Sequence, residues 1–233
     1  MPSPERPEKY HRPVRSFVLR KGRLTDAQAR ALDELWPSFG IDRGTDNINP
    51  VKLFARQAPL VIEIGFGNGE ATWRMARNEP EKNFIGIEVH KPGVGHLLQA
   101  LEAHQLNNVR IAREDAVEFI HDRLSDTCID EVRIYFPDPW PKKRHHKRRI
   151  IQSEFLDLLA GKMKTGALLH LATDWHPYAE FMLEVTDVHP AFENLSPSGD
   201  FCPRPDWRPE TKYELRGERL GQPSRDILLR HNS

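Results

Sequence analysis

The stretch VIEIGFGNGE at residues 61–70 joins an apolar run to a turn with three glycines, Gly65, Gly67 and Gly69. The run 60–64 is apolar apart from Glu63, which predicts a buried strand. Glycine has no Cβ, so the turn can bend tightly and let a ligand approach the backbone. Glu70 stands where the dinucleotide fingerprint has its third glycine, and a carboxylate there disfavours a pyrophosphate. The turn therefore predicts a site for a nucleoside-like ligand without phosphates.

Beyond this turn, short apolar runs alternate with longer amphipathic stretches. The predicted strands are 60–64, 84–87, 109–112, 132–136 and 167–172, and the predicted helices between them are 70–78, 92–106, 116–124, 150–164 and 177–185. This alternation is typical of parallel βαβ units. It predicts an α/β fold with a mostly parallel twisted sheet, helices on both faces and a ligand site at the carboxyl ends of the strands.

The two ends of the chain have weaker patterns. Residues 1–24 are rich in proline and basic side chains, and we expect a flexible basic arm that precedes a single domain at 25–233. Thr25 is suited to cap a helix that Pro37 stops. The tail 195–223 combines Pro, Gly and Arg with weak periodicity, which predicts loops with a last strand or two.

Composition narrows the class of protein. The chain has 34 basic and 34 acidic side chains, a formal net charge of zero, yet the run KKRHHKRR at 142–149 contains no acid. Such a cluster gives one face of a neutral protein a positive potential. Cys128 and Cys202 match no metal-binding spacing, so we expect no metal. Without an apolar signal core or an apolar run of membrane-spanning length, we expect a cytoplasmic protein with no membrane partner.

Acidic residues lie at the ends of three successive predicted strands. Glu88 is suited to accept both hydroxyls of a ribose, and Asp115 to accept a hydrogen bond from an adenine amino group. Alone, Glu88 could equally be an exposed strand end and Asp115 a helix N-cap. Together with Glu63 they favour a ligand, and the arrangement resembles the Rossmann-like class I methyltransferases. The resemblance implies S-adenosylmethionine as cofactor, bound by Glu63, Gly65, Gly67, Gly69, Glu88 and Asp115.

The fourth predicted strand runs into FPDPWP at 136–141. Three prolines in this turn restrict the backbone, so Asp138 is held rigidly at a strand end. The basic run 142–149 follows at once, which favours a nucleic-acid backbone as partner, although a charge run can also be a solvated face. The turn therefore predicts a functional carboxylate beside a nucleic-acid site.

Four separated motifs resemble the bacterial tRNA (guanine-N7-)-methyltransferase family. They are VIEIGFGNGE (61–70), FPDPWPKKRHHKRR (136–149), LATDWHPYAEFM (171–182) and RPETKYELRGERLG (208–221), and the likeness begins at RSFVLRKGRLT (15–25). The resemblance implies methyl transfer from S-adenosylmethionine to N7 of a guanine in the variable loop of tRNA. It implies that Asp138 is catalytic and also lines the cofactor site. It further implies substrate contacts from Lys142, Asp174, Thr211, Lys212, Tyr213 and Glu214, and RNA contacts from Arg144, His145, His146, Lys147, Arg148 and Arg149.

Two other functions stay open. The Pro-Asp-Pro-Trp turn at 137–140 loosely resembles the Asp-Pro-Pro-aromatic loop of methyltransferases that act on adenine N6, although its prolines are not adjacent. The other alternative is a non-catalytic RNA-binding module that keeps an old cofactor fold. Guanine N7 carries no proton that must leave before it attacks. For that acceptor we therefore expect Asp138 to orient the base and support its developing charge.

Overall fold

The computed structural model describes residues 15–18 and 22–232, and within them eight strands form one sheet. The strands are β1 Gly40–Ile41, β2 Leu60–Ile64, β3 Asn83–Ile87, β4 Val109–Ala112, β5 Ile129–Tyr135, β6 Met163–Thr173, β7 Phe192–Asn194 and β8 Arg225–His231. Their order is β1-β4-β3-β2-β5-β6-β8-β7. Neighbours are parallel from β1 across to β6, whereas β8 is antiparallel to both β6 and β7. The predicted mostly parallel α/β sheet is confirmed.

Helices cover both faces of this sheet. They are α1 Asp26–Glu34, α2 Trp36–Phe39, α3 Pro50–Phe54, α4 Glu70–Asn78, α5 Lys91–Ala103, α6 Ala116–Arg123, α7 Ser153–Lys162, α8 His176–Asp187 and α9 Lys212–Arg219. On β2, Val61 packs into one apolar cluster with Met75 of α4 and Leu97 of α5. Ile62 and Ile64 pack into the other cluster, which receives side chains of α6, α7 and α8. In the described ranges, no helix combines the length and the apolar character that a bilayer crossing needs.

The strand register brings the ends of three strands to one edge of the sheet. Ile64, the last residue of β2, pairs with Ile87 of β3 on one side and with Ile134 of β5 on the other. The chain leaves β3 and β5 in opposite directions across the sheet, so a crevice opens where β2 and β5 meet. The glycine turn, which follows the end of β2 directly, lies at this edge.

Local sequence patterns predicted the central elements closely. Strands β2 and β4 and helix α4 have the predicted bounds. The Thr25 hydroxyl accepts from the Gln28 N–H at 3.2 Å, and the Gln28 side chain accepts from the Thr25 N–H at 3.0 Å. These reciprocal bonds form a capping box and confirm the predicted start of α1. Strand β5 ends at Tyr135, one residue before the predicted end, because Phe136 takes a positive φ of 51°.

Two predictions near the ends of the chain were wrong. Pro37 does not stop the first helix: α1 ends at Glu34, and Pro37 lies in the first turn of α2, where its missing N–H costs no hydrogen bond. The tail contains helix α9, which was expected to be loop. The last strands, β7 and β8, lie just outside the tail range that was predicted to hold them.

Most of the predicted arm falls outside the described residues. Residues 1–14 and 19–21 are among those not described, so the expectation of a flexible segment stays a prediction for them. The described residues Ser16, Phe17 and Val18 line a cavity at the carboxyl edge of the sheet. This part of the arm therefore lies against the rest of the protein.

Helix α5 packs directly against the glycine turn at Gly93. A Cβ on Gly93 would lie 1.9 Å from the carbonyl oxygen of Gly67, far inside van der Waals contact. The backbone of the turn cannot move away without losing its own shape. Gly93 thus sets the distance between α5 and the turn.

We expect Gly93→Ala to destabilise the protein by about 1–3 kcal/mol, because the added methyl overpacks a rigid backbone contact. Gly161→Ala is the matched control, since a Cβ at that helix position meets no atom within 4 Å. Urea denaturation of the two variants measures the difference. Equal stabilities would show that the turn yields freely and that this contact does not constrain it.

Candidate active site

A cavity of about 370 Å³ opens at the carboxyl edge of the sheet. Ligand sites are commonly of about 300–1,000 Å³. Its wall comes from segments distant in sequence: Gly65 and Gly67 after β2, Glu88 after β3, Asp138 after β5, and Phe17 of the arm. The parallel register therefore brings most of the predicted cofactor residues to one space.

Three of the predicted cofactor residues do not line this cavity: Glu63, Gly69 and Asp115. Gly69 is the N-cap of α4, and a Cβ there would lie 2.7 Å from the Cβ of Leu97. Gly69 is therefore needed for the packing of α4 against α5.

The glycine turn leaves open space above its backbone. Gly65 and Gly67 have φ values of 73° and 59°, in the left-handed region that favours glycine. A Cβ at either position would meet no atom within 4 Å. Both glycines also line the cavity, so a side chain there would point into space that the fold keeps free. The turn is a cradle that any larger residue would narrow.

Glu88 holds this turn in place through three backbone donors. Its Oε2 accepts from the Gly67 N–H at 2.9 Å, and its Oε1 accepts from the N–H groups of Val89 and His90 at 2.7 and 2.9 Å. A carboxylate has about four acceptor sites. Three of these sites are occupied by backbone N–H groups, so one site remains for a ligand hydroxyl. The sequence analysis expected Glu88 to accept both hydroxyls of a ribose.

Glu63 is a buried carboxylate with an unpartnered oxygen. The side chain lies near the end of β2 and is 2% exposed, and its Oε2 has no hydrogen-bond partner among the described residues. Burial raises the pKa of Glu63 to about 7, although the positive charge of Arg133 opposes the shift. Such a group gains strongly from a cationic or donor partner.

Asp115 caps helix α6, as the alternative interpretation of this residue predicted. Its Oδ1 accepts from the Val117 N–H at 2.9 Å. The neighbours Glu114 and Ala116 line the cavity, and Asp115 is not among the residues that do. Burial raises the pKa of Glu114. The position of the third acid relative to the cavity therefore differs by one residue from the prediction.

The turn that carries Asp138 is strained and is held from both sides. Phe136 and Trp140 have φ values of 51° and 46°, which is costly for residues with a Cβ. The Arg149 Nε donates to the Pro139 carbonyl at 3.0 Å, and the Trp140 indole N–H donates to the Ser16 carbonyl at 3.1 Å. Asp138 itself is exposed and lines the cavity.

An aromatic pair and a second aspartate stand beside this turn. The rings of Phe136 and Tyr213 meet edge to face with centroids 5.3 Å apart. Burial raises the pKa of Tyr213, and the nearby charges of Asp174 and Asp138 raise it further. The structure thus brings Asp138, Asp174 and Tyr213 together from three distant segments, as the family resemblance implied. Lys142 is exposed at the start of the basic 3₁₀ helix Lys143–Arg148.

The other substrate residues predicted in the tail are Thr211, Lys212 and Glu214, and two of them have structural roles in helix α9. Thr211 is the N-cap of α9, where its hydroxyl accepts from the Glu214 N–H at 3.3 Å. Lys212 is exposed. Glu214 is 2% exposed and pairs with Arg208 at 2.7 Å, so its carboxylate faces the protein interior. This placement favours an anchoring role for Glu214 over the substrate contact that we expected.

The basic run divides into inward and outward side chains. Lys143, Arg144 and Lys147 are exposed, and His145 and His146 are half-buried. Arg148 stacks on Trp140, with its Cζ 4.0 Å from the ring centroid. Arg149 is 4% exposed and lies over the rings of Tyr178 and Phe181. The geometry favours a structural role for Arg149, in contrast to the RNA contact that the resemblance implied.

Sequence reasoning did not single out several residues of the wall. They are Phe17, His90, Glu114, Phe136 and Ile150. Phe136 and Glu114 stand close to the predicted Asp138 and Asp115, so nearness to a strand end was a usable signal for these two. Phe17 carried no such signal, because its segment shows no periodic pattern.

Solved structures of methyltransferases share this fold. The aminoglycoside resistance methyltransferase NpmB1 aligns with a TM-score of 0.53 at 15% identity, covering 79% of this chain and 94% of that one. An rRNA methylase from Streptococcus thermophilus aligns with a TM-score of 0.51 at 14% identity, covering 76% and 88%. Similarity at this level shows the fold alone, and it confirms the predicted Rossmann-like class I methyltransferase architecture.

Sequence comparison is more specific. A family model described as "Putative methyltransferase" matches residues 57–227. The tRNA (guanine-N(7)-)-methyltransferase of Alcanivorax borkumensis is 52% identical over 221 residues, covering 95% of this chain and 92% of the relative. That of Methylobacillus flagellatus is 52% identical over 224 residues, covering 96% and 93%. The chain therefore belongs to the tRNA (guanine-N(7)-)-methyltransferase family.

Proposed function

We propose that this protein transfers the methyl group of S-adenosylmethionine to N7 of a guanine in the variable loop of tRNA. The observation that carries the proposal is that a cofactor-like turn and a turn beside the basic run line the same cavity. An open glycine cradle lies on one side of the cavity, and the rigid Asp138 turn, which continues into the basic run, lies on the other. Because free tRNA is cytoplasmic, we infer a cytoplasmic protein.

The cavity suits S-adenosylmethionine, which has an ammonium, a sulfonium and a nucleoside but no phosphate. Gly65 and Gly67 leave space that a Cβ would fill, and Glu88 keeps one acceptor site for a hydroxyl. The unpartnered Oε2 of Glu63 offers a counter-charge to an ammonium. When bound, S-adenosylmethionine supplies a methyl group on a positively charged sulfur. The residues present therefore fit this group.

Asp138 is suited to support the acceptor rather than to remove a proton. Guanine N7 already has a free in-plane lone pair, so no strong base is needed. Positive charge develops on the purine during transfer, and a fixed carboxylate stabilises it. A carboxylate can also accept from N1–H and N2–H on the opposite edge of guanine, which disfavours adenine. Positioning of the reacting atoms contributes on the order of 7–11 kcal/mol in favourable cases.

The acceptor base is expected beside Phe136 and Tyr213. Bases that leave an RNA stack commonly bind on aromatic side chains. Tyr213 is 59% exposed and lies near both Asp138 and Asp174, so its ring can be reached from solvent. Lys143, Arg144 and Lys147 extend the same edge with exposed cations for the phosphates. Phosphate contacts supply affinity, whereas base choice comes from the pocket.

We expect Asp138→Asn to lower kcat by about 10²–10³-fold, the cost of losing one fixed electrostatic stabiliser. Asp187→Asn, an exposed change at the far end of α8, is the control. Nucleoside analysis of unmodified tRNA after the reaction identifies the product. Methylated adenine in place of 7-methylguanine would refute the proposed acceptor, and full turnover by Asp138→Asn would refute its role.

Cofactor binding should depend on the protonation of Glu63. Its pKa of about 7 means that a proton must leave before an ammonium can pair with it at lower pH. Affinity for the unreactive product S-adenosylhomocysteine should therefore weaken as pH falls below 7, by up to about tenfold per pH unit. Calorimetry at several pH values measures this dependence.

Glu63→Gln should weaken binding and remove that pH dependence, whereas Glu102→Gln, exposed on α5, should change neither. Without cofactor, the folded protein retains a proton on Glu63 between its ordinary pKa of 4.5 and about 7, whereas the unfolded chain releases it. This group therefore makes the protein less stable as pH rises through that window. A pH-independent wild-type affinity would contradict the assignment.

Neutralising Lys143, Arg144 and Lys147 together should weaken tRNA binding and make it less sensitive to salt. Each lost phosphate contact reduces the slope of log affinity against log salt concentration by about 0.7–0.9, so the triple change should reduce the slope by about 2–3. A matched triple change of Lys52, Arg77 and Lys164, which are exposed away from this edge, should leave the slope unchanged. Filter binding at several salt concentrations gives both slopes. Equal slopes for the two triple variants would place the RNA face elsewhere.

A further inference from the structure

A cluster of polar side chains, most of them buried, joins the tail to strands β5, β6 and β8 behind the turn that carries Asp138. Its members are Tyr135, His170, Trp207, Arg208, Glu214, Ser224 and Asp226. We call this set the buried polar cluster. Its members stand outside the wall of the cavity, and the proposed chemistry uses none of them.

Arg208 lies at the centre of the buried polar cluster. Its Nε and Nη2 donate to the two carboxylate oxygens of Asp226 at 2.6 and 2.7 Å. Its Nη1 donates to Glu214 Oε2 at 2.9 Å, and its Nη2 lies 2.7 Å from Glu214 Oε1. All three side chains are at most 2% exposed. One planar guanidinium thus fixes helix α9 to strand β8.

His170 continues this connection to strand β5. The Trp207 indole N–H, which can only donate, points to His170 Nδ1 at 3.3 Å. Nδ1 is therefore an acceptor, and the ring proton is on Nε2, which donates to Asp226 Oδ1 at 2.7 Å. The Tyr135 hydroxyl lies 2.9 Å from the same Nδ1. Burial lowers the pKa of His170, in keeping with this neutral ring.

The two ends of the buried polar cluster are each next to the aromatic pair. Tyr135 directly precedes Phe136, and Glu214 directly follows Tyr213. Each ring of this pair, whose centroids lie 5.3 Å apart, is therefore one residue away from a member of the buried polar cluster. Without Arg208, α9 would keep its N-cap at Thr211 and the bond from Ser224 to Glu214 but lose the guanidinium that joins Glu214 to Asp226 of β8.

We infer that Arg208 is a positioning residue for the acceptor: it holds α9 so that Tyr213 stands against Phe136 beside Asp138. The inference rests on the proposed function, because it assigns the aromatic pair to the acceptor base. On the cofactor side of the cavity, the hydrogen bonds that hold the glycine turn are accepted by Glu88, and no side chain of the buried polar cluster takes part in them. Loss of Arg208 therefore acts on tRNA and spares the cofactor.

The test is a double-mutant cycle of Arg208→Lys and Tyr213→Ala. Lysine keeps the charge but cannot form the planar fork that spans both carboxylates. We expect Arg208→Lys to raise both the KM and the Kd for tRNA by about tenfold, with the Kd for S-adenosylhomocysteine changed by less than about twofold. If Arg208→Lys acts on the acceptor by displacing the Tyr213 ring, the effects of the two changes should not multiply, and the double variant should be close to Tyr213→Ala alone.

Arg56→Lys is the matched control. Arg56 is also a part-buried arginine with two tight contacts, to the Asn83 side chain at 2.7 Å and the Lys82 carbonyl at 2.7 Å, but at the opposite edge of the sheet. We expect its effect to be independent of Tyr213→Ala. If Arg208→Lys does not fold, Glu214→Gln replaces it in the same cycle, because it keeps the shape and removes only the charge.

The inference is overturned if the effects of Arg208→Lys and Tyr213→Ala multiply, if tRNA binding is unchanged, or if cofactor affinity falls as much as tRNA affinity. Wild-type protein that methylates no guanine in tRNA would refute the proposed function instead. In that case the cycle is read from the Kd for tRNA alone, where the same non-additivity supports the positioning role and additivity refutes it.

Discussion

The functional edge of this protein depends on three parallel strands that end in register. Ile64 of β2 pairs with the ends of both β3 and β5, so the first residues beyond each strand reach the same crevice. Glu88 then joins two of these segments directly, because its carboxylate accepts from the Gly67 N–H as well as from its own turn. On the other side, α5 presses against the same turn at Gly93. The glycine cradle is thus fixed by backbone contacts before any ligand enters.

The turn that carries Asp138 is stabilised by two arginines of the basic run, Arg148 and Arg149, for which the family resemblance implied RNA contacts. Positive φ values at Phe136 and Trp140 each cost on the order of 1–3 kcal/mol unless neighbouring groups hold them. Arg149 donates to Pro139 within the turn, and Arg148 covers the Trp140 ring. Part of the basic run therefore has a structural role, and only its exposed side chains, Lys142, Lys143, Arg144 and Lys147, are accessible for the proposed phosphate contacts. Net charge and charge runs cannot reveal this division, because it depends on which direction the 3₁₀ helix presents each side chain.

The sequence predicted those elements that are specified by contacts between nearby residues or by a periodic apolar pattern. The apolar run of β2, the glycine turn and the capping box at Thr25 each specify their structure within a few residues. Helix α9 was missed because its segment KYELRGER has no apolar stripe and contains Gly217. Thr211, the N-cap, with Glu214 three residues later was a local signal for the start of this helix. The contact of Arg208 with Glu214, which attaches the helix to the rest of the fold, is not visible in any local pattern. The acidic positions were predicted as a set, but the direction of the chain after β4 decides which acid faces the cavity: Glu114 lines it, and Asp115 caps the helix.

Two buried glutamates, Glu63 and Glu214, differ in whether their carboxylate oxygens have partners within the protein. Glu214 pairs with Arg208 and Ser224 through both of its carboxylate oxygens and is 2% exposed, so it stabilises one arrangement of the tail and is not accessible to a ligand. Glu63 is as deeply buried, but one of its oxygens has no partner among the described residues. Burial raises its pKa to about 7, because removal from water destabilises the charged form. Among the described buried carboxylates, the others (Glu70, Glu131 and Asp226) each pair with a cation. A buried charge without a partner persists in a stable fold where a ligand supplies one. The unpartnered oxygen of Glu63 at the end of β2 therefore supports the proposed cofactor assignment on grounds that do not depend on the glycine pattern.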